Sequence, residues 1–290
     1  MSELGLGTDP YVPPPLPIRV LASLYLGIFG RKFFYRWNRF LLLVAARGIC
    51  VSDPMLKTLG PGEESFLRRF ARLASPTVFD VGANVGQYSA RLMELCPTAR
   101  IWAFEPHPGT FKRLAEVAQR SKGVTAVNAG LGDLAGTADL FDYASLVDGA
   151  GSAHASLNRR VIEDLHQSTA TSVVVDIRTI DEVISTEKVE QVNLLKIDAE
   201  GHELSVLKGA ASAISSRMID VVQFEFNEMN VISHVFLKDF YDALPGYAFY
   251  RMVVDGLAPL GRYQARTHEL FFLHNVVAIR GGFNNSAMIV

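Results

Sequence analysis

The run Val78-Phe-Asp-Val-Gly-Ala-Asn-Val-Gly86 constrains this chain more than any other segment. A short apolar stretch ends in an acid, Asp80. Gly82, Asn84 and Gly86 then make a tight turn, and an amphipathic stretch begins at once. This is the strand, loop and helix of a nucleotide-type cofactor site, where small residues let a ligand approach the backbone. The next apolar run, Ile101-Trp-Ala-Phe-Glu105, ends in an acid roughly twenty residues beyond the turn, where such sites hold ribose hydroxyls.

Around this segment the chain alternates strand-like and helix-like text. Apolar runs at 77–81, 101–105, 124–129, 192–198 and 219–226 read as strands. Helical patterns at 86–95, 108–121, 203–214 and 234–243 lie between or after them. Such alternation predicts a mostly parallel sheet covered on both faces. Residues 247–254 and 270–279 are strand-like with only a Gly/Pro loop between them, so they are expected to pair antiparallel. The region 134–180 breaks the pattern with a hairpin strand at Thr137–Tyr143, the small-residue loop Gly149–Ser156, a short helix and the strand Val173–Arg178. A long loop there reads as a substrate lid or as an excursion without a role.

The N-terminus is a separate region. Pro13, Pro14, Pro15 and Pro17 predict an extended arm over residues 1–17. In 18–49, Phe33, Trp37, Phe40, Leu41 and Val44 share a helical face, and no acid occurs between Asp9 and Asp53. Arg19, Arg31, Lys32, Arg36, Arg39 and Arg47 all lie in that interval. The segment reads either as a basic amphipathic helix for a membrane surface or as a cap on the main domain. The expected division is an extension over 1–54 and a catalytic domain over 55–290.

A net charge of −2 argues against general nucleic-acid binding. Cys50 and Cys96 form neither a disulfide framework nor zinc spacing, which suits a reducing compartment. No secretory signal is visible, and no apolar run approaches the roughly 20 residues needed to cross a bilayer. The expected location is cytoplasmic, at the inner membrane surface if residues 18–49 meet lipid. Oligomeric state is left open.

Two further segments carry polar groups on strands. In Leu194-Leu-Lys-Ile-Asp-Ala-Glu-Gly-His-Glu203, Lys196 and Asp198 share one face, and Glu200, Gly201 and His202 form the turn into a helix. In Val221-Val-Gln-Phe-Glu-Phe-Asn227, Gln223, Glu225 and Asn227 alternate with phenylalanines. Polar side chains on a central strand are costly unless paired or facing a site. Lys196 reads either as a site residue or as the counter-ion of Asp198 or Glu225. The glycine turn departs from a dinucleotide fingerprint, because Asn84 and Gln87 replace two of its glycines. Asp80 beside it would repel pyrophosphate and attract a cationic ligand. S-adenosylmethionine, a sulfonium with an amino group, a ribose and no phosphate, meets that description.

Together, Asp80-Val-Gly-Ala-Asn-Val-Gly-Gln-Tyr88, Phe104-Glu-Pro106, Leu195-Lys-Ile-Asp-Ala-Glu-Gly201 with Glu203 and Leu207-Lys-Gly209, and Phe224-Glu-Phe226 resemble the FkbM-type methyltransferases over roughly residues 77–280. The resemblance implies an α/β fold with a Rossmann-like class I methyltransferase sheet, S-adenosylmethionine as cofactor, and O-methylation of a sugar, glycan or polyketide-type hydroxyl. By position, Asp80, Gly82, Asn84 and Gly86 hold the methionine part and Glu105 the ribose. Leu131 lies near the adenine, with Asp133 either there or in a hairpin turn. A hydroxyl acceptor needs a proton acceptor. Asp198 is the first candidate, followed by Glu225 and His202, with His154 arriving on the lid. Asp198, Glu200 and Glu225 could instead gather a divalent cation, a less favoured alternative. Two rival functions remain: a membrane-associated binding protein with a vestigial pocket, and a nicotinamide-dependent oxidoreductase.

Overall fold

Thr77–Val81 is buried at every position, as a strand must be when helices cover both faces of its sheet. The computed structural model describes residues 15–51, 59–145 and 151–284. Helices α1 (Leu16–Phe29), α2 (Tyr35–Gly48) and α3 (Pro61–Phe70) precede β1 (Thr77–Val81). Then come α4 (Gln87–Leu95), β2 (Arg100–Phe104), α5 (Pro108–Arg120), β3 (Val124–Val127), β4 (Gly130–Leu131), β5 (Gly136–Tyr143), β6 (Ala170–Arg178) and α6 (Ile180–Thr186). The second half holds β7 (Val192–Ile197), α7 (Glu203–Lys208), α8 (Ala211–Ser215), β8 (Ile219–Phe226), α9 (Met229–Ile232) and α10 (Leu237–Ala243). It ends with β9 (Tyr247–Val253), β10 (Gly256–Pro259), α11 (Ala265–His268) and β11 (His274–Arg280).

Eight strands form one sheet in the order β10-β9-β11-β8-β7-β1-β2-β3. The five from β3 to β8 are parallel. β11 lies antiparallel between β8 and β9. This is a Rossmann-like, mostly parallel sheet with antiparallel strands at the C-terminal end, as expected from the sequence. Strand alternation puts Phe79, Leu195 and Phe224 into one apolar layer and Val78, Leu194 and Val221 into the other. After β3 the chain returns to the other side of β1, so order reverses between β1 and β7. Ligands of open α/β sheets bind beyond the strand ends at that point. A second sheet, β4-β6-β5, stands beside it and carries the loop after β5.

Several expectations change in detail. Pro17 does not keep the arm extended: α1 starts at Leu16, and a proline in the first turn loses no helical hydrogen bond. Residues 1–14 lie outside the described residues, as do 52–58 with the expected domain boundary. The helix expected over 203–214 is two, because α7 ends where a side chain at Gly209 would overlap the Gly132 carbonyl oxygen. The pattern at 234–243 starts late, since His234 takes a left-handed conformation (φ 54°) before α10. Between β9 and β11 the loop holds the extra strand β10 and the short α11. α3 was not expected from the sequence; it buries Phe66, Leu67 and Phe70. The cap reading of the N-terminal segment also fails for its first helix. α1 buries no residue and α2 only Ala46.

Candidate active site

The turn after β1 and the turn after β7 meet. Gly82 has φ 69°, and a Cβ there would overlap the Asp198 carbonyl oxygen. Only glycine permits both the left-handed backbone and this approach. The Asp198 amide donates to the Val81 carbonyl at 3.0 Å, and Lys196 Nζ donates to the Gly82 carbonyl at 3.3 Å. Between these turns opens a cleft lined by residues of both.

Its polar lining is one-signed. Glu105, Asp198 and Glu200 reach it, and no Lys, Arg or His does among the described residues. Glu105 lies just beyond β2, 7% exposed. Its carboxylate accepts from the Asn84 amide at 3.0 Å and the His107 amide at 2.8 Å. Each carboxylate oxygen still has a free lone pair, so hydroxyl donors can be added. Burial pushes the Glu105 pKa up to about 7 against those amide bonds. The apolar walls come from Val81, Pro106, Leu131 and Leu140. Ser152, Ala153, Ala155 and Leu157 of the loop after β5 close the far side.

That loop is tethered at both ends of its described part. The buried Asp142 carboxylate accepts from Ser152 N at 2.7 Å and Ser152 Oγ at 2.6 Å. Ser156 Oγ donates to the Glu200 carbonyl at 2.8 Å. Residues 149–150, its expected start, lie outside the described residues.

The turn after β7 concentrates negative charge. Glu200 sits at φ 50° with Gly201 at φ 93° behind it. Burial, then Asp198 and Glu203 nearby, push the Glu200 pKa well up. Glu225 is raised by burial and the same carboxylates. Glu203 accepts from the Ala199 and Gly201 amides, both at 3.0 Å, and burial lifts it to about 7. Lys196 is the one buried cation among them. Burial would pull its pKa down, but Asp80, Asp198 and Glu63 hold it above the usual lysine range.

The model of the Methyltransferase FkbM domain matches residues 80–242. The chain belongs to this family. A curated relative, "Hexuronic acid methyltransferase AglP" of Haloferax volcanii, is 31% identical over 166 residues, covering 56% of this chain and 62% of that protein. "Methyltransferase sdnD" of Sordaria araneosa is 29% identical over 157 residues, 47% of this chain and 61% of that one. The match thus spans about three fifths of either relative's length.

In this FkbM domain the residues named from sequence divide into two groups. Gly82, Asn84, Glu105, Leu131 and Asp198 line the cleft. Asp80, Gly86, His202 and Glu225 are not among its lining residues. Asp80 is fully buried beneath the turn, accepting from Ser89 Oγ at 2.7 Å and paired with Lys196 at 3.2 Å. Its charge is therefore met internally. Gly86 begins α4 at φ 82° against Leu114 and Val117 of α5. His202 faces Gly132 and Asp133, and burial lowers its pKa. Asp133 accepts from Ser205 Oγ at 2.8 Å, the reading as a turn residue. Glu225 accepts from Asn227 at 3.2 Å. Lys196 serves as counter-ion to Asp80 and Asp198 (3.4 Å). His154 sits on the loop after β5, 3.7 Å from Glu200. Among the described residues no three His, Cys, Asp or Glu are arranged to hold a metal ion. Sequence reading valued Glu200 only as a metal ligand. Its signal was the acid directly before Gly201, held in a strained turn that aims it into the cleft.

Proposed function

We propose that this chain is an S-adenosylmethionine-dependent O-methyltransferase acting on a hydroxyl of a sugar, glycan or polyketide-type product. One observation carries the reading: among the described residues the cleft at the β1/β7 reversal is lined by three carboxylates and by no Lys, Arg or His. A dinucleotide brings two phosphates that need amides at a helix start or cations. A phosphate-free nucleoside with a sulfonium and an ammonium suits an acidic cleft instead. Glu105 is placed to accept from two ribose hydroxyls, and Leu131 and Leu140 give the flat apolar contact a purine takes. When bound, the cofactor supplies an electrophilic methyl carbon.

The chain's own residues do the rest. The two turns fix the reacting geometry by holding each other, which is the positioning part of the rate. Ala153, Ala155 and Leu157 on the lid exclude water. Asp198 and Glu200 reach the cleft together, and either can take the acceptor proton as its oxygen attacks. Asp198 is held in place by Lys196 at 3.4 Å. The sugar acceptor is supported by the relative whose name specifies a hexuronic acid.

The test is an incubation of the purified chain with donor labelled in the methyl group and a panel of uronic acids, neutral oligosaccharides and polyketide alcohols. Label in a product, at an ether oxygen by mass spectrometry, supports the proposal. Binding of S-adenosylmethionine with no transfer to any acceptor favours a binding protein. Binding of NADH instead favours an oxidoreductase.

A further inference from the structure

The helical pair α1–α2 keeps its apolar surface outside the protein. Fifteen of the twenty exposed large hydrophobic residues among the described ones fall between Leu16 and Ile49. Phe33 is 87% exposed, Leu16 70% and Leu26 69%. Large apolar patches on soluble domains mark interaction surfaces. The pair is nonetheless built: Tyr25 Oη donates to Asn38 Oδ1 at 2.6 Å, and Asn38 Nδ2 donates to the Phe29 carbonyl at 2.9 Å. Phe29, Phe33 and Phe34 stack edge to face around the turn between the helices. The two helices are thus pinned to each other while their outer surfaces stay bare.

Charge selects the partner. Arg19, Arg31, Lys32, Arg36, Arg39 and Arg47 are exposed on the pair, and residues 15–51 contain no acid. At 100° per residue, Arg36, Arg39 and Arg47 fall within one arc of about 80° on α2, away from the Asn38 contact to α1. Two copies placed pair to pair would oppose twelve positive charges, since each pair carries six. The whole chain carries −2, so six positive charges here leave eight net negative on the remainder. Such a molecule turns its helical pair toward an anionic surface and its body away. The helices are too short to cross: 14 residues reach about 21 Å against roughly 30 Å of hydrocarbon. No helix among the described residues is long and apolar enough to span a membrane.

We propose that α1–α2 docks the protein onto an anionic lipid surface, with Phe33, Trp37 and the α1 leucines in the acyl boundary and the arginines at lipid phosphates. Apolar area and basic charge act together in such helices. The inference goes beyond methyl transfer and does not depend on it, because its readout is sedimentation.

The test sediments the full chain with vesicles of phosphatidylcholine alone and with vesicles containing about 30 mol% phosphatidylglycerol, near physiological salt. The protein is expected to pellet with the anionic vesicles and stay in solution with the neutral ones. The quadruple variant Arg31→Glu, Lys32→Glu, Arg36→Glu, Arg39→Glu is expected to lose at least tenfold in binding, and Phe33→Ser with Trp37→Ser a similar amount. These side chains are exposed, so unchanged melting curves show that the variants fold. Three results would overturn the proposal: no pelleting with anionic vesicles, pelleting that survives charge reversal, or a lipid-free dimer dispersed by Phe33→Ser and Trp37→Ser.

Discussion

The two turns that meet at the cleft handle charge in opposite ways. The turn after β1 is electrically quiet. Its acid, Asp80, is buried with Lys196 and Ser89 as partners, and what it offers the cleft is backbone, through Gly82 and Asn84. The turn after β7 carries a surplus. Asp198, Glu200 and Glu203 crowd there with Glu225 behind them, and Lys196 pairs with Asp198 at 3.4 Å. Burial penalises the negative charges of Glu200, Glu203 and Glu225, so these three hold protons to higher pH than usual. The first turn thus suits close approach of a ligand, and the second brings the carboxylates of Asp198 and Glu200 to the cleft.

This contrast can be broken from the second turn first. Glu200→Gln and Asp198→Asn should each lower turnover about 10²–10⁴-fold if that residue is the proton acceptor. Affinity for S-adenosylhomocysteine should change little, by calorimetry. The variant that keeps near-normal turnover is removed from that role. Next comes the contact between the turns. Gly82→Ala forces a Cβ onto the Asp198 carbonyl and should cost about 3–5 kcal/mol in chemical denaturation. Gly246→Ala is the control. Its φ is also positive, at 82°, but nothing lies within 4 Å, so it should cost only about 1–2 kcal/mol. Equal losses would mean that backbone strain, and not the contact, sets the effect.

Two smaller effects sharpen the comparison through pH. On the proposed reading, ribose hydroxyls bind the charged form of Glu105, whose pKa is about 7. Wild-type affinity for S-adenosylmethionine should therefore fall as pH drops below 7. Glu105→Gln should cost about 1.5–3 kcal/mol at pH 8 and flatten that dependence. Glu203 shows the linkage in stability. Its folded pKa, about 7, lies above the unfolded 4.5, so its contribution is present at low pH and lost as pH rises through 7. Between pH 6 and 8 the unfolding free energy of Glu203→Gln should gain about 1.4 kcal/mol on wild type. A constant difference between the two proteins would contradict the assignment.

The sheet was legible because parallel core strands are buried on both faces and so read as unbroken apolar runs, as at 77–81 and 192–197. The first turn was legible because positive φ and close approach demand glycine or asparagine. What sequence could not show were contacts between distant segments. At the break after α7, Gly209 packs against the Gly132 carbonyl, which lies far away in the chain. The pairing of Asp80 with Lys196, which takes Asp80 out of the cleft, depends on β1 lying beside β7. β11 slips between β8 and β9, a placement that no local pattern encodes. The bare apolar surface of α1 was hidden for the same reason: a helical stripe has the same spacing whether or not something covers it.

The central claim is that a cleft lined by acids receives a phosphate-free cationic nucleoside. Calorimetric titration of the wild-type chain at pH 8 with S-adenosylmethionine, and separately with NADH, tests it directly. Saturable one-to-one binding of S-adenosylmethionine, weakened by Glu105→Gln, with no heat from NADH, is the predicted result. Binding of NADH in its place, or S-adenosylmethionine binding untouched by Glu105→Gln, would contradict it.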